Sequence, residues 1–289
     1  MAYPFLQDVV RDFTGVNIWL PLPTFGLMLA TGALSGFAVF YRTVKEYEAD
    51  GRLPTRPVAM SVNVSDFATV LMICGIIGAR VFSILEDPSD FFNDPIGILF
   101  SSGGLAIYGG IIVGFLSGVV FVRRKKLPAR RIADASASGL MLSYAVGRIG
   151  CQISGDGDWG IPADLSLKPT WLPDWFWVQT YDHNVVGRVI PLPGVYPTPL
   201  YESAAAFVLF AILWGLRNHR FGAGWLFGLY LFLAGCERFF IEKIRVNVKY
   251  TVGNLHFTQA ELISVVFMLL GIAGMCIFIR KDRDQKSPV

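Results

Sequence analysis

The sequence is short of charge. Only 16% of its 289 residues are Asp, Glu, Lys or Arg and 53% are hydrophobic, whereas soluble domains carry about a quarter charged residues. That balance excludes a disordered chain, and the long uncharged runs exclude an ordinary soluble core. The runs are continuous, so they also lack the roughly ten-residue alternation of transmembrane barrel strands. A net charge of +3 gives no electrostatic basis for a nucleic-acid partner. Histidine is sparse: His183, His219 and His256 stand far apart. The four cysteines, Cys74, Cys151, Cys236 and Cys276, lie in or beside apolar runs, where Cys behaves as a small hydrophobe. Neither a disulfide framework nor a metal site follows from such spacing, and no metal is expected. Asp8, Arg11 and Asp12 precede the first run in place of the basic segment of a cleaved signal peptide, so the first span is expected to stay in the mature protein.

What is present is a series of apolar stretches near the roughly 20 residues that cross a bilayer. They predict an all-α, polytopic membrane protein with seven helices, at 18–40, 64–85, 96–122, 132–153, 200–216, 222–241 and 258–279. The whole chain, 1–289, reads as one integral-membrane domain. Short cytoplasmic loops retain Lys and Arg. The connections after the odd-numbered spans hold 16 basic residues and the opposite side 6, which predicts an outside N-terminus and a cytoplasmic C-terminus. The segment 156–198, between the fourth and fifth spans, then lies outside the cell. Trp159, Trp171, Trp175, Trp177, Tyr181 and Tyr196 crowd into it, as expected of a loop lying along the membrane interface or guiding a substrate.

Three arginines, Arg80, Arg148 and Arg238, fall inside predicted spans. Each costs at least about 2.5 kcal/mol on insertion scales, so each needs a partner or a polar cavity. Arginine keeps its charge there, and its planar fork suits carboxylate or phosphate. Several forks in a bilayer point to a lipid phosphate, although reversible binding of a transported lipid or solute would need them too. Arg238 and Glu242 are four apart and share a helix face, with Arg245 a turn later. Arg148 sits in Gly147-Arg148-Ile149-Gly150, where the glycines let a ligand or another backbone approach. Asp156 and Asp158 follow just past the end of that span. Gly110, Gly114 and Gly118 form a packing stripe, while Gly103, Gly104 and Gly109 with Gly110 flank a single phenol, Tyr108.

These blocks resemble one family, the prolipoprotein diacylglyceryl transferases of bacterial plasma membranes. The resemblance is carried by GRIGCQISGDGDWG at 147–160, by the glycine-rich segment 103–114, by Tyr196-Pro197-Thr198-Pro199-Leu200-Tyr201-Glu202, by RFFIEKIR at 238–245 and by Gly78-Ala79-Arg80. It implies transfer of the diacylglyceryl group of phosphatidylglycerol to the thiol of the lipobox cysteine in preprolipoproteins, without a cofactor. Arg148 and Arg238 would face the phosphate and Glu242 would orient Arg238. Asp156 would stand where the family usually has Glu, Gly104 and Gly155 would shape the cavity, and Arg80, Tyr201 and Glu202 would join the substrate site. Three positions depart from the family pattern: Phe25 replaces a Tyr, Tyr108 a His and Cys151 an Asn. A phenol, with an ordinary pKa near 10, is a poor base at neutral pH, so Tyr108 is expected to donate a hydrogen bond to headgroup or thiol. Cys151 is expected to line the site without acting as a nucleophile. The departures leave room for a fold relative with another acceptor.

Overall fold

The computed structural model describes residues 2–55, 59–100, 106–252 and 255–279. Helices α1 (Leu6–Thr14), α2 (Thr24–Ala49), α3 (Met60–Glu86), α4 (Pro88–Asn93), α5 (Pro95–Phe100), α6 (Ile107–Arg124), α7 (Ala129–Ser154), α8 (Asp174–Trp177), α9 (Thr198–Leu216), α10 (Trp225–Glu242) and α11 (Gln259–Ile277) follow one another along the chain. Four of them, α2, α3, α9 and α11, are long and apolar enough to cross a membrane.

Each predicted span meets a helix, with three differences. Helix α2 starts at Thr24 rather than at residue 18, because Pro21 and Pro23 bar the preceding residues from helical geometry. The stretch 15–22 is irregular instead, with Trp19 85% exposed, and the short helix α1 precedes it. The run 96–122 is not one helix: α5 ends at Phe100 and α6 starts at Ile107. Gly103 and Gly104 lie outside the described residues, and Tyr108 falls in the first turn of α6. The protein is also not purely helical. Strands β1 (Lys249–Val252) and β2 (Leu255–Thr258) pair antiparallel with Tyr250 opposite Phe257. Aromatic and β-branched residues favour that pleated pairing. Thr258, read as the first residue of the last span, is the N-cap of α11: it accepts from the Glu261 N–H at 3.1 Å, and the Glu261 carboxylate accepts its own N–H at 2.9 Å.

The chain divides into two compact units, Tyr41–Ala133 and Met1–Phe40 with Asp134–Val289. In the first, α3 and α6 approach through glycine: a Cβ on Gly78 would stand 2.5 Å from the Gly109 carbonyl oxygen. In the second, Ala137, Met141 and Ala145 of α7 pack with Ala206 and Leu213 of α9 and Leu226 of α10. Polar ties fix that packing. Asp134 accepts the N–H groups of Gly224 (2.7 Å) and Phe227 (2.9 Å) at the start of α10, where a carboxylate also complements the helix dipole. Ser203 of α9 donates to the Ala145 carbonyl of α7 at 2.9 Å. These contacts set the register of α7, α9 and α10, and therefore what meets at their far ends.

Candidate active site

At those ends the three helices bring arginines around one carboxylate. Glu202, near the start of α9, has no exposed side-chain surface. Arg148, in the last turns of α7, reaches its Oε2 with Nε at 3.1 Å. Arg238 of α10 donates from Nη1 to Oε1 at 3.0 Å, and Arg245, just past α10, donates from Nη1 to the same oxygen at 3.2 Å. Arg238 also pairs through Nη2 with Glu242 at 2.9 Å, the contact their four-residue spacing predicts, and Asn247 donates to the other Glu242 oxygen at 2.6 Å.

A second carboxylate closes the cluster from the loop. Arg245 Nη2 donates to Asp158 Oδ1 at 2.5 Å, and Arg148 Nη1 pairs with Asp158 Oδ2. The loop is pinned to make this possible. Ile161 N–H donates to the Ile244 carbonyl at 2.8 Å, and Thr198 Oγ1 donates to the Asp158 carbonyl at 2.7 Å. Gly160 must be glycine there, since a Cβ would stand 2.6 Å from the Ile244 oxygen. Burial pushes the Asp158 carboxyl up, but the Arg245 and Arg148 guanidiniums outweigh it and hold the group below the usual carboxylate range.

Asp156 lies beside the cluster, where its Oδ1 accepts the Asp158 N–H at 3.2 Å, and Asp158 meets the arginines. Gly155 has φ +62°, and a Cβ there would lie 2.8 Å from Asn184 Cβ, so glycine serves the close turn into the loop. Cys151 is buried, with Sγ 3.5 Å from Arg148 Nη1. The ligand atoms of Cys151, Asp156 and Asp158 lie within 4.8 Å of one another, a spacing a cation could use, but Arg148 and Arg245 already set positive charge against them. Tyr201 donates to the Phe176 carbonyl at 2.6 Å and so anchors the loop. Phe25, at the start of α2, brings its backbone beside Gly150, its carbonyl oxygen 3.4 Å from where a Cβ there would stand.

Arg80 of α3 and the half-exposed Tyr108 belong to the unit Tyr41–Ala133, and Gly104 is outside the described residues. The aromatic loop divides in two. Trp171 and Trp175 are exposed, whereas Trp159 and Tyr181 stack at 5.3 Å inside a small core with Ala2 and Val195. Sequence reasoning singled out neither Asp158 nor Arg245 as site residues, and it passed over Tyr144, one turn before Arg148 in α7, and Glu237, next to Arg238 in α10.

Comparison with known proteins adds the family. A family profile described as prolipoprotein diacylglyceryl transferase matches residues 15–277. Among curated relatives named phosphatidylglycerol–prolipoprotein diacylglyceryl transferase, that of Corynebacterium efficiens is 30% identical over 93% of this chain and 80% of its own length. That of Symbiobacterium thermophilum is 31% identical over 77% and 79%, and that of Parasynechococcus marenigrum 29% over 93% and 94%. With a profile match from residue 15 to residue 277 and relatives aligned along most of their own length, this chain belongs to the prolipoprotein diacylglyceryl transferase family.

Proposed function

We propose that the chain transfers the diacylglyceryl group of phosphatidylglycerol to the lipobox cysteine thiol of preprolipoproteins, forming a thioether and releasing glycerol phosphate. In this reading it is a single integral-membrane domain of the bacterial plasma membrane, with seven spans, an outside N-terminus, a cytoplasmic C-terminus and the segment 156–198 at the outer interface. The observation that carries the chemistry is the gathering of Arg148, Arg238 and Arg245 around the buried Glu202. A carboxylate at the centre holds the forks in one orientation. The partly exposed members, Arg238 and Asp158, leave a way for a phosphodiester to reach the cluster.

The reaction follows from that electrostatics. The substrate thiolate attacks the glycerol carbon that bears the phosphate ester, the carbon–oxygen bond breaks, and the departing phosphate gains negative charge. Arg148 and Arg238 stabilise that charge where it develops, the largest single contribution such a site can make. No acyl-enzyme forms, because the bond broken is an alkyl one. A thiol of pKa about 8.5 is already a few per cent thiolate at pH 7, so the demand on a base is modest.

The test uses purified protein, phosphatidylglycerol labelled in its headgroup glycerol, and a lipobox peptide. A peptide carrying a diacylglyceryl thioether together with labelled glycerol phosphate is the expected product pair. Lipid movement with neither product would make the protein a transporter, and headgroup release without a thioether would assign another acceptor.

A further inference from the structure

One carboxylate beside the cluster is tied to no arginine. Glu237 of α10 is partly buried, and among the described residues it makes no ion pair. It accepts from the Tyr144 hydroxyl of α7, which lies 3.5 Å from Oε1 and 3.4 Å from Oε2. Tyr144 in turn has the Arg148 guanidinium carbon 5.3 Å from its ring centroid. Glu202, Glu242 and Asp158 differ: each is ion-paired to at least one arginine. A carboxylate paired to a guanidinium is the poorer proton acceptor, which leaves Glu237 the better one.

Position favours the same residue. Tyr144 lies four residues before Arg148, and Glu237 one before Arg238. At 1.5 Å per residue Tyr144 sits roughly 6 Å further into its helix than Arg148, while Glu237 is nearly level with the Arg238 fork. The reacting carbon of the lipid must also lie further in, since the acyl chains extend from its side of the phosphate. Displacement of the phosphate oxygen brings the sulfur in opposite that oxygen, on the side away from the phosphate. A carboxylate beside the Arg238 fork, hydrogen-bonded to a phenol one turn before Arg148, is near that approach.

We propose that Glu237, oriented by the Tyr144 hydroxyl, accepts the proton of the substrate thiol. As the sulfur–carbon bond forms and the carbon–oxygen bond breaks, the thiol proton moves to the Glu237 carboxylate and the electron pair of the broken bond leaves on the phosphate. The proton can then pass to that phosphate, which restores the carboxylate. The inference rests on the proposed transfer and assigns a step that the arginines leave open.

The experiment is the rate of thioether formation from pH 6 to 9 for wild type, Glu237→Gln and Asp156→Asn. The charged and titratable groups facing Glu237 are Tyr144 and Arg148 from α7, Glu202 from α9 and Arg238 on its own helix. The charged residue of α11, Glu261, pairs with Lys243 at the helix end. Without the acceptor, reaction depends on thiol that has ionised by itself. Glu237→Gln should therefore be slower by about 100-fold near pH 6.5, with the deficit closing toward pH 9. A wild-type rate at pH 6.5, or a deficit constant across the range, overturns the proposal. So does a closing deficit in Asp156→Asn without one in Glu237→Gln. Should Glu237→Gln fail to fold, Glu237→Asp, which keeps the carboxylate but withdraws it, must show a deficit that closes in the same direction. An inactive wild type would refute the transfer itself, whereas the acceptor is judged by the ratio of variant to wild type.

Discussion

Two regions of the molecule bring helices together by opposite means. In Tyr41–Ala133, α3 and α6 come together where side chains are missing: Gly78 faces Gly109, and a Cβ on Gly110 would stand 3.3 Å from the Gly75 oxygen. In the other unit α10 and α11 use the same device, with a Cβ on Gly271 only 2.6 Å from the Gly228 oxygen. The ends of α7, α9 and α10 do not. There, arginines and carboxylates take the place that glycine contacts hold elsewhere. Glycine contacts need no desolvated charge, whereas a buried ion pair often stabilises no better than well-packed apolar groups. Charge in one place and glycine in the other therefore mark different duties, chemistry against scaffold.

The comparison breaks first, and most visibly, at the arginines. Arg148→Lys and Arg238→Lys keep the charge and lose the fork, so turnover should fall about 100-fold or more in each while thermal unfolding in detergent changes far less. Near-normal turnover in either would mean that the cluster serves packing, as the glycines do. The glycine side has the reverse signature. In Gly78→Ala the new methyl meets Val113 and the Gly109 carbonyl, and stability should drop by about 1 to 3 kcal/mol. Gly114→Ala, whose nearest neighbours stand 3.8 Å away, should unfold close to wild type and serves as the control. Equal stability in the two variants would remove the distinction drawn between close and open glycines.

How much of this the sequence disclosed follows from the range of each interaction. Arg148 and Arg238 were legible because a charge in an apolar run is costly wherever the run ends up, and Arg238 with Glu242 because four residues make one helical turn. The Asp158–Arg245 pair spans 87 positions, and each partner read alone is an ordinary loop charge. Glu202 entered only through the quoted motif. Its role as the centre of three forks depends on the register of α9 against α7 and α10, which Ser203 and Asp134 fix through contacts with no local signature. The start of α2 was legible in Pro21 and Pro23, but hydropathy alone ran through them. The aromatic loop is a related case: composition cannot tell an exposed Trp, such as Trp171, from one that stacks inside, such as Trp159.

The smallest expected effect sharpens the comparison, because it asks whether the glycine-built unit takes any part in the chemistry. Tyr108 stands in the first turn of α6 and is 52% exposed, so its hydroxyl is available to a ligand. If it donates a hydrogen bond to the headgroup or the thiol, Tyr108→His should remain active. Tyr108→Phe should then lose about 2- to 13-fold in rate, the equivalent of one net hydrogen bond of about 0.5 to 1.5 kcal/mol. That loss should be constant from pH 6 to 9, because a donor contributes the same contact at every pH, whereas a base contributes only where it can take a proton. A Tyr108→Phe deficit that varies with pH would move the proton to Tyr108 and away from Glu237. A Phe variant that matches wild type throughout would leave Tyr108 a packing residue, and the unit Tyr41–Ala133 would contribute scaffold alone at this position.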